Sequence, residues 1–506
     1  MHSKKGLYNL SASLIYKILT CVVGLLIPRL FVLSYGSELN GLQSSITQIF
    51  AYIALIEAGV GEATLQSLFQ PIAEKQYKKA NEILSATTYY YNRIGLIYFI
   101  LLFSLAILYP LIIHVEDVSF LTVFGYIVFA GLTTGINFFF QSKIILILQA
   151  DGTVYINSMI VTVTYLLTSI VKIVCILSEM NIVLIQFGFF AVNMIGTGAY
   201  YIIARRKYSW INFREKPNMK AIEQKNSVMI HKIAGIVFQN TDIVLLTVVC
   251  GLKVVSVYTM YKLVINMVTT IIASFGDSIN FVFGQTYNGP NRTRYQRLID
   301  TFNVYYSAVA FALFAVTSIL ILPFLKLYTA GMDINYIYPI LPLLYICIEV
   351  LQVGREAMVR TITVAGHFKK TQKAALIEMS VNLCMSIVLV FVFKEIWGAM
   401  AGLYGVLCGT IIALLYRTLD INYYANKRIL CRSSFKTNKI MITNVILYVI
   451  ILFFTQSMEL EIVNYFQFIR WGVVLSVIIV GLTVVVQSAL NPKECKCLLS
   501  YITLRK

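Results

Sequence analysis

Long apolar segments alternate with short polar connections along almost the whole chain of 506 residues. A membrane-spanning helix needs about 20 predominantly apolar residues, and fourteen segments meet that requirement. They are 8–34, 41–69, 86–113, 118–149, 154–177, 182–204, 227–250, 254–284, 298–325, 335–365, 372–393, 398–416, 440–457 and 464–489. The pattern predicts an all-α polytopic membrane protein with fourteen transmembrane helices. Segment 118–149 is long for one helix, so we expect it to tilt or break.

Basic residues are distributed unevenly among the connections. Of 41 Lys and Arg residues, 28 lie in every second connection, and only Lys253, Lys326 and Lys394 lie in the intervening ones. Lys and Arg accumulate in short loops on the cytoplasmic side of a membrane. The distribution predicts a multi-pass protein of the bacterial inner membrane with both termini in the cytoplasm. It places 205–225 and 417–439 in the cytoplasm and 458–463 outside.

Composition agrees with a membrane protein: 58% of residues are hydrophobic, 13% are charged and the mean hydropathy is +0.78. The net charge of +18 comes largely from the basic connections and does not indicate nucleic-acid binding. Part of this charge is expected to attract anionic lipid head groups. The nine cysteines lack metal-ligand spacing, so we interpret them as small buried apolar residues. The first apolar run has no cleavage site and is predicted to be a retained span.

The chain contains a faint internal repeat with an offset of 215 residues. The matches are polar residues, tyrosines and glycines at equivalent places: Lys17 with Lys232, Gly36 with Gly251, Gly61–Glu62 with Gly276–Asp277, Gln70 with Gln285, Tyr90–Tyr91 with Tyr305–Tyr306. Each repeat holds six spans, an even number, so both should enter the membrane in the same direction.

We therefore predict two parallel six-helix lobes followed by a terminal helix pair. The predicted divisions are an N-lobe at 1–204, a cytoplasmic linker at 205–226, a C-lobe at 227–418, a cytoplasmic loop at 419–439, the helix pair at 440–490 and a cytoplasmic tail at 491–506.

No connection exceeds about 25 residues, which leaves no room for a folded soluble domain. The sequence also lacks a P-loop, an H-E-x-x-H motif and a Rossmann fingerprint. These features predict a protein that is not an enzyme and has no cofactor or metal. Energy for transport would come from a proton, sodium or substrate gradient.

Ten cations fall inside the predicted spans, where a charge is costly. Four lie within about two turns of a boundary and are expected to snorkel to water: Lys143, Lys172, Arg360 and Arg470. Lys17, Lys262 and Arg355 lie on the order of 12–16 Å deep and are expected to face an aqueous cavity. For three at intermediate depth both interpretations stay open: Arg29, Arg93 and Lys232.

Seven acids also lie in the spans: Glu57, Glu62, Asp242, Asp277, Glu349, Glu356 and Glu378. The deepest either neutralise deep bases or couple transport to protons or sodium, and the coupling candidates are Asp242 or Glu349, then Glu57. The repeated pairs Gly61–Glu62 and Gly276–Asp277 are candidate gate contacts. The alternative is that Glu62 and Asp277 pair with the neighbouring basic loops.

Cations outnumber acids inside the spans. A cationic cavity between the two lobes suits an anionic head group such as a pyrophosphate, because several Lys and Arg donors can hold its oxygens.

The beginning of the chain carries short motifs: I-P-R-L at Ile27–Leu30, Tyr35–Gly36, Asn40–Gly41–Leu42, Glu57-x-Gly-x-Gly at 57–61 and a basic loop at Lys75–Lys79. With fourteen spans and a duplication, it resembles the polysaccharide-transporter branch of the multidrug/oligosaccharidyl-lipid/polysaccharide flippase superfamily.

This resemblance implies a MATE-like fold. It also implies a protein that flips undecaprenyl-pyrophosphate-linked oligosaccharides, the repeat units of capsule, O-antigen or related surface polysaccharides. It also implies, by position in the spans, a set of cations that bind the lipid pyrophosphate: Lys17, Arg29, Arg93, Lys232, Lys262 and Arg355. The expected partners are the lipid-linked oligosaccharide, membrane lipids and other polysaccharide-assembly membrane proteins.

Three alternatives compete with this function. An ion-coupled multidrug exporter of the same fold would favour an acidic cavity and twelve spans. A flippase for the peptidoglycan precursor fits the same sequence features. A surface-polymer polymerase or ligase would need a sizeable outer loop, and the outer connections here are short.

Overall fold

A computed structural model describes residues 2–503 of the chain, except 58, 59, 114, 116, 117, 220–225, 278, 288, 290, 291 and 456–461. The side chains of 2–18, 56, 62, 226–232, 281 and 501–503 also lie outside the description. Within these limits the fold is all-helical, without a β-strand, as the apolar periodicity predicts. The chain forms two compact units, Met1–Asn240 and Thr241–Lys506.

The helices of the first unit are α1 (His2–Ile53), α2 (Val60–Ala73), α3 (Tyr77–Ile112), α4 (Phe120–Ala150), α5 (Val154–Leu177) and α6 (Ile182–Lys207). The unit boundary falls inside α7 (Asn226–Val249). The second unit continues with α8 (Leu252–Asp277), α9 (Asn280–Tyr287), α10 (Arg292–Tyr328), α11 (Ile340–Val364), α12 (Phe368–Trp397), α13 (Ala401–Tyr424), α14 (Phe435–Thr455), α15 (Tyr465–Leu490) and α16 (Pro492–Thr503).

Every predicted span coincides with one helix or with two consecutive helices. Within the described residues, eleven helices are long and apolar enough to cross a membrane. One of them, Leu19–Ile53, joins parts of two predicted spans, and Ile233–Val249 is shorter. Helix α11 carries four charged residues and is not among the eleven. The protein is therefore a multi-pass helical membrane protein, and the count of fourteen spans stays a prediction.

Two predicted spans are interrupted, and they occupy equivalent places. In 41–69, α1 ends at Ile53, a turn of 3₁₀-helix covers Ala54–Glu57, and α2 begins at Val60. In 254–284, α8 ends at Asp277 and α9 begins at Asn280. The segment 118–149, predicted to tilt or break, is not broken, since α4 is one helix of 31 residues without proline; its tilt stays a prediction.

The repeat appears in the backbone with the predicted offset. Gly36 and Gly251 both adopt positive φ, 83° and 91°, at the turn between the first two helical segments of each unit. This conformation favours glycine because it has no Cβ. Helix α3 begins at residue 77 and α10 at 292, again 215 residues apart. The packed pairs α3–α4, α4–α6 and α5–α6 of the first unit recur as α10–α11, α11–α13 and α12–α13.

Each unit has its own buried core. In the first unit, the buried side chains include Leu84, Tyr98 and Ile127. In the second, α9, α10, α11 and α13 surround a cluster that includes Phe283 and Met358. The packing buries one apolar stripe of each helix and leaves other apolar side chains exposed, as expected for helices surrounded by lipid.

The predicted linker begins against the first unit. Trp210 stacks on Tyr77 with ring centroids 4.8 Å apart. Asn81 in α3 donates to the carbonyl of Trp210 at 2.9 Å and accepts from the backbone N–H of Asn212 at 3.0 Å. The start of the linker is therefore fixed to the first turn of α3.

The terminal segment contains one helix that the apolar pattern did not predict. Residues 492–503 of the predicted tail form α16, and α10 packs against α14, α15 and α16. Lys436 in α14 pairs with Asp300 in α10 at 2.7 Å and with Glu494 in α16 at 2.6 Å. These ion pairs attach α14 and α16 to the core of the second unit.

Candidate functional site

The second unit contains a buried cluster of polar and charged residues, here called the Asp242 cluster. Asp242 in α7 is only 5% exposed. Its carboxylate accepts hydrogen bonds from Tyr258 at 3.1 Å and from Thr410 at 3.4 Å. Lys262, one turn after Tyr258 in α8, interacts electrostatically with both Asp242 and Glu349. Burying a carboxylate is costly unless it is hydrogen-bonded or paired, and this cluster supplies both.

Neighbouring side chains hold the cluster in place. Asn382 in α12 donates to the Thr410 hydroxyl at 2.9 Å. Tyr345 in α11 donates to the carbonyl of Tyr258 at 2.8 Å, and its ring lies parallel to Tyr261 at 6.0 Å. Four helices, α7, α8, α12 and α13, thus fix the oxygen atoms around Asp242. A carboxylate and two hydroxyl oxygens can bind a proton or a small hard cation.

A second group links three helices through ion pairs. Glu378 in α12 pairs with Arg355 in α11 at 2.7 Å and with Arg417 in α13 at 3.1 Å. Arg417 also pairs with Asp420 at 2.6 Å. Arg355, predicted to face a cavity, therefore has its charge compensated by Glu378 in this structure.

Arg360 was predicted to snorkel, and this prediction is wrong because its side chain is buried and only 8% of the residue is exposed. It pairs with Glu356 one turn earlier at 2.8 Å and with Asp277 at 3.4 Å, and it donates to Asn280. Its guanidinium also lies 5.7 Å from the ring centroid of Phe302. These partners replace water around the charge, so the side chain has no need to reach the interface.

The two repeated glycine–acid pairs have different surroundings. Gly276 lies against the guanidinium of Arg360, and Asp277 pairs with that arginine; within the described part of the chain, Asp277 has no ion pair with a basic loop. Gly61 lies beside Tyr91, whose hydroxyl donates to Glu57 at 2.8 Å. In both units, a glycine therefore lies next to a polar side-chain contact between two helical segments that are not adjacent in sequence.

The other candidate cations of the first unit are spread along their helices. Arg93 is exposed, with its guanidinium 4.5 Å from the ring centroid of Tyr89. Arg29 is half-buried in α1. Three further candidate side chains lie outside the described residues: Lys17, Glu62 and Lys232.

Of the remaining cations expected to snorkel, Lys143 is buried, with its ammonium 5.0 Å from the ring of Phe213 in the linker. The linker covers a group that was predicted to reach water. Lys172 is half-buried against Phe189, at 4.6 Å, and Arg470 is exposed beside Trp471.

The structure thus brings Asp242, Glu349 and Lys262 together and places Arg355 in another ion-pair group. Sequence reasoning missed Arg417, because apolarity ends at Tyr416 while α13 continues to Tyr424. It also missed Tyr258 and Thr410, since neutral residues inside a span carry no charge signal. Tyr258 could have been found from its position four residues before Lys262. Within the described residues, no group of three His, Cys, Asp or Glu could hold a metal ion.

No family model and no curated protein sequence matches the chain. Solved structures do match. The lipid II flippase MurJ in its inward closed conformation has a TM-score of 0.66 at 13% identity, covering 96% of this chain and 99% of its own. An inward-facing multidrug resistance MATE transporter of the MOP superfamily has a TM-score of 0.62 at 14% identity, covering 80% and 94%.

A third match is a MOP superfamily transporter from Pyrococcus furiosus described as having a binding pocket of reverse polarity. Its TM-score is 0.57 at 14% identity, and the alignment covers 85% of this chain and 94% of that one. The chain therefore has the MATE-like fold found in transporters and a flippase of the MOP superfamily. At these identities the likeness concerns the fold.

Proposed function

We propose that this protein is a flippase that moves an undecaprenyl-pyrophosphate-linked oligosaccharide, the repeat unit of a surface polysaccharide, to the outer leaflet by alternating access. The observation that carries the proposal is the MATE-like fold combined with buried basic residues in its helices. A polytopic helical protein of this fold has the architecture of a transporter. The cations provide the chemistry that a pyrophosphate requires.

The extent of the structural matches supports a flippase over a multidrug exporter. The lipid II flippase aligns with 96% of this chain, whereas four MATE structures, two of them described as multidrug resistance transporters, align with 80–88%. Residues 435–506, which include α14–α16, make up 72 of the 506 residues, or about 14%. The share of this chain that the MATE structures leave unaligned is of similar size.

The pyrophosphate is held by cations from the predicted set, among which Lys262 and Arg355 have the best-described surroundings. Lys262 interacts electrostatically with two carboxylates, and Arg355 pairs with one. Both charges are therefore compensated before substrate binds. The pyrophosphate oxygens would compete with Glu378 for Arg355 and with Asp242 and Glu349 for Lys262. Binding therefore exchanges one set of charge-assisted hydrogen bonds for another.

The same competition couples transport to an ion gradient. When a proton or sodium ion binds Asp242 or Glu349, the negative charge that compensates Lys262 is reduced. The affinity of the lysine for the pyrophosphate therefore changes with the ion occupancy of the carboxylates. Glu57, which accepts from Tyr91, is the third candidate for coupling. The gate is formed by Gly61, Glu62, Gly276 and Asp277.

The experiment is flipping in proteoliposomes that contain a fluorescent undecaprenyl-pyrophosphate oligosaccharide, with and without an imposed proton or sodium gradient. We expect Lys262→Ala and Arg355→Ala to reduce flipping by about 10²-fold, since each removes a charge-assisted contact to the pyrophosphate. The exposed Arg470→Ala is the matched control and should flip at the wild-type rate.

Asp242→Asn and Glu349→Gln should flip at a rate that no longer responds to the gradient. Equal flipping by wild type and both cation variants would exclude the proposed binding groups. Lipid II and a cationic dye serve as alternative substrates in the same vesicles. Faster movement of lipid II would favour a peptidoglycan-precursor flippase, and movement of the dye alone would favour an exporter.

A further inference from the structure

A cavity of about 550 Å³ opens where α13 ends and the chain turns into α14. Its lining residues are Tyr423, Lys427, Cys431, Arg432, Ser433 and Ser434. Two of the six are cationic, three carry hydroxyl groups and none is acidic. All belong to the second unit, and the proposed flipping mechanism uses none of them.

The two cations of this cavity differ in their availability. Arg432 is bound at both ends of its guanidinium to Asp300, at 2.7 and 2.8 Å, and its Nε donates to Asn426 at 2.8 Å. It is a fixed, compensated part of the wall. The ammonium of Lys427 lies 5.4 Å from the ring centroid of Tyr423 and has no acidic partner among the described residues. Lys427 is therefore the group that can bind an anion.

The charge around the cavity is positive. Residues 417–439 contain six Lys and Arg but only one acid, Asp420. Three of the six are in ion pairs: Arg417, Arg432 and Lys436. Among the described residues, the other three have no carboxylate within ion-pair distance: Lys427, Arg428 and Lys439. An anion that enters this region is therefore attracted by the positive charge of these three side chains.

An apolar path leads along α13 to the same cavity. Exposed side chains recur on one face of the helix at intervals of three or four residues: Ile412, Leu415, Tyr416, Leu419 and Tyr423. This spacing is that of a single helical face. Tyr423, the last of them, lines the cavity itself. A hydrocarbon chain lying along this face would place its head group beside Lys427.

We propose that this cavity binds the phosphate of an anionic phospholipid, whose acyl chain lies along the exposed face of α13. The Lys427 ammonium and the serine hydroxyls donate to the phosphate oxygens. A basic pocket between transmembrane helices is a known arrangement for anionic head groups. The positive-inside pattern predicts that the lipid belongs to the cytoplasmic leaflet.

The test is ligand-dependent thermal stabilisation of the purified full-length protein in a neutral detergent, because a ligand that binds only the folded state raises the melting temperature. The probes are phosphatidylglycerol, phosphatidylcholine with the same acyl chains, glycerol phosphate and inorganic phosphate. We expect phosphatidylglycerol to stabilise the protein at a much lower concentration than the other three. Lys427→Gln should weaken its apparent affinity about tenfold.

Lys493→Gln, which removes an exposed charge from α16, is the matched control and should bind as the wild type does. Leu419→Gln should weaken the binding of long-chain lipid, whereas Ile446→Gln, on the exposed face of α14, should leave this binding unchanged. Native mass spectrometry of the same variants reports bound lipid independently of stability. Equal stabilisation by phosphatidylcholine, saturation by inorganic phosphate, or equal binding by the Lys427 and Lys493 variants would overturn the proposal.

Discussion

The guanidinium of Arg360 lies against Gly276 in α8 and pairs there with Asp277. The equivalent Gly61 in the first unit has a looser environment. A Cβ atom at Gly276 would lie 3.0 Å from Cζ of Arg360 and 3.3 Å from Cε2 of Tyr306. At Gly61 the nearest atom would be the Tyr91 hydroxyl, at 3.4 Å. The repeat thus provides a matched pair of glycines with different tolerance for a methyl group.

We expect Gly276→Ala to displace Arg360 and to destabilise the fold by about 1–3 kcal/mol, the usual cost of an inserted methyl group in a packed site. Flipping should fall with it, because Asp277 loses its partner at the proposed gate. The melting temperature of the purified protein and flipping in vesicles measure the two effects.

Gly61→Ala is the control for the loss of stability, and we expect its melting temperature to be almost that of the wild type, because the added methyl group meets no atom closer than 3.4 Å. The same response from both alanine variants would contradict the role given to the Arg360 contact.

Among single residues, the sequence located the deep charges but not their partners. Depth along a helix can be counted from span boundaries, so Asp242, Glu349 and Lys262 were recognised. Pairing depends on which helix faces lie against each other, and this information is absent from hydropathy. Arg355 could therefore be predicted to be deep, but its contact with Glu378 could not.

At the scale of helices, α11, α12 and α13 are connected by ion pairs centred on Glu378. Its carboxylate bridges Arg355 and Arg417 and is 13% exposed. Removing one member of a buried ion-pair group leaves uncompensated charge, which is strongly destabilising.

We expect Glu378→Gln to destabilise the protein by about 3 kcal/mol, since Arg355 would lose its carboxylate and Arg417 would keep only the more exposed Asp420. Thermal unfolding in detergent measures this. Asp420→Asn is the control and should cost less than about 1 kcal/mol, because Asp420 is 30% exposed and Arg417 keeps Glu378. If the two variants unfolded at one temperature, Glu378 would not be the centre of the group.

Hydropathy predicted the helices well but missed the interruptions after α1 and α8. Apolar residues continue across both breaks, so the mean hydropathy of a sequence window does not change there. Helix α16 was missed for the opposite reason, because Lys493, Glu494 and Lys496 lower the average below that of a span. Its position is instead set by Glu494, which pairs with Lys436 and is only 8% exposed.

For the whole molecule, the predicted orientation can be tested directly. We expect a cysteine at position 212 to react with an impermeant maleimide only after cells are permeabilised, and a cysteine at 463 to react in intact cells. Both positions are exposed in the structure. The nine native cysteines must first be replaced. Labelling of position 212 from outside would reverse the orientation inferred from the basic connections.

The MATE-like fold could be predicted from the sequence because it is set by many weak, repeated signals. Each apolar segment is ambiguous alone, but few architectures are compatible with both the number of segments and the repeat offset of 215 residues. The functional site depends on single contacts such as Tyr258 with Asp242, for which no repeated signal exists.

The two positive-φ glycines, Gly36 and Gly251, have an evolutionary consequence. A turn that tolerates only glycine without strain is retained when most other residues in a duplicated gene diverge. The even number of spans in each repeat predicts a further property: two separate copies of one half would insert in the membrane in the same direction. An ancestral half-length protein could thus have assembled as a pair of identical subunits before its gene was doubled. Gene fusion would then have freed each half to acquire its own charges.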